Sequence, residues 1–365
     1  MSDTEIHKGV SSKKSLISFK YIAISIALSV ASMGLVIYLT YTPGVLDHLA
    51  PKRLPGLFIA IAVTLLRVYF SAAKLRYLAD KEIGWAKCFR IMLTWDFASA
   101  VTPSTIGGAP IATYAMTREG IKLGKSSAIV LYGVLLDQFW YALAVPILLL
   151  AGFYYQVIPP EIGFVGNLTM VLIYTGLLLY AGFLTYGLMI NPSSIKKIIA
   201  WVFKWPFLNK LADKMNAEAD NLEQYSYEIR QKPIAFFMKA LFFTTMSWLC
   251  KVALPVIVVL SLLPGPEVLL VLRSLAMNLA FLVIPTPGGS GGVEGLFALF
   301  LGPLISRTSF IGLAVFAWRI ITYYISIGLG IIAASWYVNR SVVGANTIND
   351  DPEKIIGSQS GETKD

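Results

Sequence analysis

Seven ionisable residues stand inside stretches that are otherwise apolar: Arg67, Asp96, Asp137, Lys251, Arg273, Glu294 and Arg319. A charged side chain in such a segment costs about 2.5–3.5 kcal/mol on membrane-insertion scales, so it faces a cavity or a partner. Guanidinium groups bind phosphate as a bidentate fork, and an ammonium binds it as a point charge. Arg67, Arg273, Arg319 and Lys251 are therefore candidate contacts for an anionic headgroup. Asp137 and Glu294 are candidates to balance that charge or relay a proton. For each of these residues a structural ion pair between helices, such as Asp137 with an arginine, is the competing reading. Four basic groups against three acidic ones leave an excess that suits a negative ligand. The run Gly288-Gly289-Ser290-Gly291-Gly292 opens a helix expected over 293–301. Free N–H groups and the positive dipole end at such a start favour an anion. The run lacks a Gly-Lys-Ser/Thr end and follows no strand, so a nucleotide loop has no support.

The elements that must position these residues follow from composition. Of 365 residues, 56% are apolar and 14% charged, the net charge is +9 and the mean hydropathy is +0.68. A soluble domain carries about 25% charged residues. These values exclude a disordered, collagen-like or nucleic-acid-binding tail protein and disfavour a soluble two-domain enzyme. They point to an all-α polytopic membrane protein. Cys88 and Cys250 make no disulfide framework, and His7 and His48 lie in a tail and a loop. No metal, no cofactor, no catalytic residue and no nucleic-acid partner are expected.

A span needs about 20 apolar residues. Six runs qualify: Tyr21–Tyr41, Leu54–Ala73, Ser126–Phe153, Leu168–Ile190, Phe236–Leu263 and Phe310–Val338. The first is too long for a secretory leader and ends on an aromatic anchor, so it reads as a span. Two shorter stretches, Cys88–Val101 and Val268–Ile284, run into Pro/Gly-rich turns. If every stretch crossed, the loop 191–235 with its seven Lys/Arg would face outside, against the positive-inside rule. If the two short stretches enter and return, 22 Lys/Arg collect inside and three outside. The expectation is six spans and two re-entrant hairpins, eight or more membrane helices by count, in a cell membrane with both termini cytoplasmic. Non-helical backbone at membrane depth requires an enclosing, lined interior.

The hairpin turns align at an offset of 184 residues: Thr102-Pro103 on Thr286-Pro287, and Gly107-Gly108 on Gly291-Gly292. The same offset sets Arg67 on Lys251, and Arg90 falls beside Arg273. Each half, about 19–155 and 165–340, then holds an odd number of spans. That predicts an inverted repeat within an integral membrane domain over 19–343. Residues 193–231 form a polar cytoplasmic segment. Leu208, Leu211, Met215, Leu222, Tyr225 and Ile229 recur there at helical spacing, which predicts an amphipathic helix on the inner leaflet. The tails, 1–18 and 344–365, read as disordered and cytoplasmic.

The stretch Pro285-Thr286-Pro287-Gly288-Gly289-Ser290-Gly291-Gly292-Val293-Glu294 resembles the second signature of the lysylphosphatidylglycerol synthase transmembrane-region family, also called flippase-like. Thr102-Pro103-Ser104 with Gly107-Gly108 is similar to its first signature, and Asp137 matches an acidic residue of the following span. The resemblance implies translocation of a lipid and a role for Glu294. Where many relatives carry an acid and then an arginine after the first glycines, this chain has Ala109 and Ala112. Roles tied to that acid–base pair do not transfer. The chain resembles stand-alone members without a synthase domain.

The expected function is a lipid translocase. Its cargo would be an anionic or aminoacylated phospholipid or a polyprenyl-phosphate lipid. The alternatives are a membrane-embedded accessory or scaffold for a lipid- or glycan-modifying enzyme partner and, less favoured, a lipid-phosphate enzyme using Asp137 or Glu294 as base.

Overall fold

A computed structural model describes residues 19–45, 53–102, 107–202 and 212–349. Pro103 and part of the amphipathic segment (Leu208 and Leu211 included) lie outside the described residues, as do 1–18 and 350–365. Helix accounts for the regular structure of the described residues. In chain order the helices are α1 (Phe19–Thr40), α2 (Pro55–Leu78), α3 (Trp85–Val101), α4 (Gly108–Arg118), α5 (Leu123–Ala151), α6 (Gly163–Thr185) and α7 (Ser193–Val202). They continue with α8 (Ala212–Arg230), α9 (Ile234–Leu262), α10 (Glu267–Ala280), α11 (Gly292–Leu301), α12 (Ser309–Arg319) and α13 (Ile325–Asn349). The last helix thus extends beyond residue 343. A π-helical turn, Ile320–Tyr324, joins α12 to α13 as one continuous span.

Six helices are long and apolar enough to cross a membrane, and they coincide with the six long apolar runs. Their bilayer-facing sides are apolar, as in Leu35, Phe58, Leu172 and Ile332, because no polar group there would find a partner in lipid. The protein is an all-α, multi-pass membrane protein.

Two shorter helix pairs fold back on themselves. Lys87 and Arg90, early in α3, hold Glu119 just past the end of α4 at 3.1 and 2.9 Å. Arg273, early in α10, donates to the carbonyl of Phe300 at the end of α11. The two tips meet. The Ser25 hydroxyl donates to the Ala100 carbonyl at 2.8 Å and contacts the Tyr323 hydroxyl, and Pro287 lies beside it. Gly288 has φ +59, and a Cβ there would stand 2.5 Å from the Ala100 carbonyl oxygen. Only glycine allows both the turn and the approach.

Helices α2 and α9 run antiparallel in close contact. Gly56 lies against Ser261, Ser71 bonds Ser247 at 2.8 Å, and Tyr77 meets Phe243 edge-on. Residue numbers rise along one helix as they fall along the other, so Arg67 lies level with Lys251. Two apolar cores flank this level. One gathers α9 through Val252–Leu262 with α10, α11 and α12; the other gathers the end of α2 with α3, α4, the start of α5, and α8.

The amphipathic expectation for α8 needs correction. Its apolar residues Leu222, Tyr225 and Ile229 are buried against the protein rather than presented to a membrane surface. The Tyr225 hydroxyl donates to the Leu78 carbonyl at 2.8 Å, and burial pushes this phenol above its ordinary pKa. Glu218 accepts from the backbone N–H of Gly124 at 2.8 Å, an anion on the N-terminal end of α5. Helix α7 is tied to α8 through Lys196 with Asp220 and Ser193 with Glu223.

Candidate functional site

The level between the two apolar cores holds a polar chamber in two connected parts. One has a volume of about 240 Å³ and reaches Arg319, Thr286, Gly288 and Gly289. The other, about 280 Å³, reaches Lys74, Asp137 and Trp248. Both are lined by Arg67, Asp96, Ser99, Tyr141, Lys251 and Leu282, so they meet at the α2–α9 crossing.

Three cations in this chamber have partners. Arg67 grips Asp96, Nη2 to Oδ2 at 2.6 Å, with Nη1 3.5 Å from Oδ1. Lys74 bonds Asp137 at 2.9 Å, and the Trp248 indole donates to the same oxygen at 2.9 Å. Arg319 Nε donates to Glu294 Oε1 at 2.7 Å; both side chains are almost wholly buried. Arg319 Nη2 sits 2.7 Å from that oxygen but makes no aligned hydrogen bond among the described residues.

Lys251 differs. It takes part in none of the ion pairs among the described residues. Its ammonium rests 4.2 Å from the centre of the Trp248 ring, and its side chain is exposed to the chamber it lines. A cation–π contact stabilises an ammonium without neutralising it. Helical geometry explains the grouping. Arg67, Ser71 and Lys74 follow at i, i+4 and i+7, and Ser247 and Lys251 at i, i+4, so each set shares one face of its helix.

Several sequence-derived candidates lie elsewhere. Arg273 is outside the chamber: Nε and Nη2 donate to the Gln156 carbonyl at 3.1 and 3.0 Å, and Nη1 donates to the Phe300 carbonyl at 3.1 Å. Its donors are spent on backbone, which makes it a staple. The glycine turn has no free seat for an anion. The N–H groups of Gly289, Ser290, Gly292 and Val293 bond to carbonyls within the turn, and Gly291 N–H donates to Glu294 Oε2 at 2.9 Å. Glu294, which also accepts from Ser29 at 3.0 Å, is itself the anion at that helix start. Gly288, Gly289 and Thr286 line the chamber; Ser290 is buried behind it, its hydroxyl on Tyr323, and Thr102 bonds its own helix at Ala98. Gly107 and Gly108 pack against Thr102, Ser99 and Trp95.

Asp137 pairs with Lys74, not with an arginine, because Lys74 lies inside α2 rather than in the inner loop. Lys74 therefore replaces Arg273 in the chamber, which keeps four cations against Asp96, Asp137 and Glu294. Its seven-residue spacing from Arg67 was the available signal. Among the described residues no group of three or more His, Cys, Asp or Glu side chains converges as a metal site.

The family model for the lysylphosphatidylglycerol synthase TM region matches residues 22–330, which takes in both hairpins and the whole chamber. The chain belongs to this family. A relative from Archaeoglobus fulgidus, described as a UPF0104 membrane protein, is 25% identical over 333 residues, covering 87% of this chain and 97% of the relative. The family match concerns a transmembrane region. Within it, this member places Ala109 and the fully buried Ala112 on α4, so its first hairpin presents no acid–base pair there.

Proposed function

We propose that the protein translocates a lipid with a phosphate-bearing head, an anionic or aminoacylated phospholipid or a polyprenyl-phosphate lipid, across a cell membrane. The observation that carries this reading is Lys251: an ammonium with no ion pair among the described residues, midway along a span, in a chamber with one more cation than anions. A solvated pocket with an uncompensated positive charge at membrane depth favours an anionic occupant. Arg67 and Arg319 line the same walls.

Alternating access between inverted halves fits the packing. Helix α1 packs on α12 as α6 packs on α5, α2 on α3 as α9 on α10, and α2 on α5 as α9 on α12. The antiparallel α2–α9 pair is centred on the two equivalent residues Arg67 and Lys251. In this reading α3–α4 and α10–α11 are re-entrant from opposite sides, their tips meeting in mid-membrane. The residue equivalent to Asp96 is Ala280, which explains why Lys251 lacks the carboxylate that Arg67 has.

The test is reconstitution in vesicles with labelled phosphatidylglycerol, lysyl-phosphatidylglycerol and a polyprenyl phosphate, scored for transfer between leaflets. Wild type should move at least one of them, and Lys251→Gln should slow it by about tenfold, the equivalent of about 1.4 kcal/mol. A folded protein that moves none would end the proposal. For orientation with cytoplasmic termini, single cysteines at Gly163 and Asn221 should label from outside and inside respectively; the opposite pattern would reverse the topology.

A further inference from the structure

A third and larger cavity, about 960 Å³, lies between the first hairpin and the cytoplasmic helices. Its walls come from α4 (Ala109, Thr113), α5 (Val130, Leu131) and α8 (Leu222), and Tyr180 of α6 lies at one edge. They are mostly apolar; Glu218, which accepts from the Gly124 N–H, is a charged residue among them, and none of the chamber's cations lines them. The volume is at the upper end of ligand pockets, which span about 300–1,000 Å³. The cavity is not isolated. Trp95, Val134 and Gln138 line both it and the part of the chamber that holds Lys74, Asp137 and Lys251. Gln138 Oε1 is buried at that junction with no hydrogen-bond partner among the described residues. A buried amide oxygen without a donor is costly and marks a place where a polar group of a ligand is accommodated.

An apolar groove continuous with a cationic chamber matches an amphiphile. We propose that this groove receives one hydrocarbon chain of the same lipid whose phosphate head occupies the chamber at Lys251, the head–chain junction lying at Gln138 and Trp95. The proposal rests on the translocation reading for the head and adds the chain's path. That path enters beside α8, on the side bounded by α4 and the start of α5. The absence of acid and base at Ala109 and Ala112 belongs with it, because a charge at Ala109 would stand in the chain's path.

The test uses the full chain in vesicles containing phosphatidylglycerol with a photoactivatable group in one acyl chain. After illumination, adducts should map to groove residues such as Thr113, Leu131 and Val134. Leu131→Trp, which fills the groove, should lower their yield about tenfold. Ala109→Leu, a smaller intrusion, should lower it in a protein whose folding is unaffected. Adducts confined to the bilayer-facing sides of α1 and α6 would overturn the proposal, as would unchanged groove adducts in both variants. Lys251→Gln separates the two ideas. Slowed lipid transfer without groove labelling in wild type keeps the head site and removes the chain site. Groove labelling in a protein whose transfer ignores Lys251→Gln keeps the chain site and removes the head site.

Discussion

In the first hairpin, Lys87 and Arg90 hold Glu119, and Arg90 also lies over the Trp336 ring at 3.5 Å. In the second, Arg273 holds two backbone carbonyls, and Glu294 with Arg319 locks the helix start to the last span. Both hairpins are closed at the base by an arginine at the same place in the first arm. They part company beyond that. The second packs one face of α11 into a core, with Phe297, Phe300 and Leu301 fully buried. The first leaves one side of α4 against a cavity of about 960 Å³. One helix pair thus serves mainly as a fixed wall and the other borders a cavity. Each hairpin carries a buried anion, Glu119 just past the end of α4 and Glu294 at the start of α11.

The largest effect should come from the fixed side. Arg319→Met leaves Glu294 buried with only Ser29 and a backbone N–H as partners, and removing one member of a buried pair costs about 3–5 kcal/mol. Thermal unfolding in detergent should show a large loss, with Glu294→Gln in the same chain restoring part of it. An unchanged melting curve would show that the second hairpin is not held by this pair. Next, Arg90→Met removes a charged hydrogen bond to Glu119, a loss of about 1.5–3 kcal/mol. It should be smaller than the Arg319 effect; equal losses would erase the contrast between the hairpins.

Gly288→Ala tests the tip contact. Both its φ and the nearby Ala100 carbonyl oppose a side chain, so destabilisation should exceed about 1 kcal/mol. Gly295→Ala, with open space around the added methyl, is the matched control and should be close to neutral. A last variant, Asn278→Asp, tests the charge of the chamber. This residue lines the chamber with Lys251, and the substitution adds a negative charge to the walls that Lys251 lines. Asn278 is buried and its amide donates to the Ser274 carbonyl at 2.9 Å, so the carboxylate costs stability as well. In the protein that remains folded, transfer of an anionic lipid should fall as in Lys251→Gln. Normal transfer would remove the link between the uncompensated charge and the cargo.

Much of the membrane architecture was legible in the sequence, because a span is a local property: about 20 apolar residues announce themselves without knowledge of their neighbours. The Gly/Pro turns were legible for the same reason. Charge roles were not. Arg273 and Arg319 look alike in sequence, each a lone arginine in an apolar stretch. One meets two backbone carbonyls and the other a buried glutamate, and those partners lie 25 to 117 residues away. Helix α8 shows the same limit from the other side. Its apolar stripe was correctly periodic, but periodicity does not say whether lipid or protein covers it.

The sequence by itself determined the helical class, the six spans, the glycine turn before α11 and the family. It did so through length, hydropathy and residues whose backbone chemistry admits few alternatives. Tertiary structure decided which charges are neutralised, which N–H groups are free and where space remains. Those outcomes depend on contacts between distant segments, and electrostatic pairing at a few ångströms is set by the packing of whole helices. Lys251 became distinct from Arg67 only when Asp96 was seen to reach one and not the other.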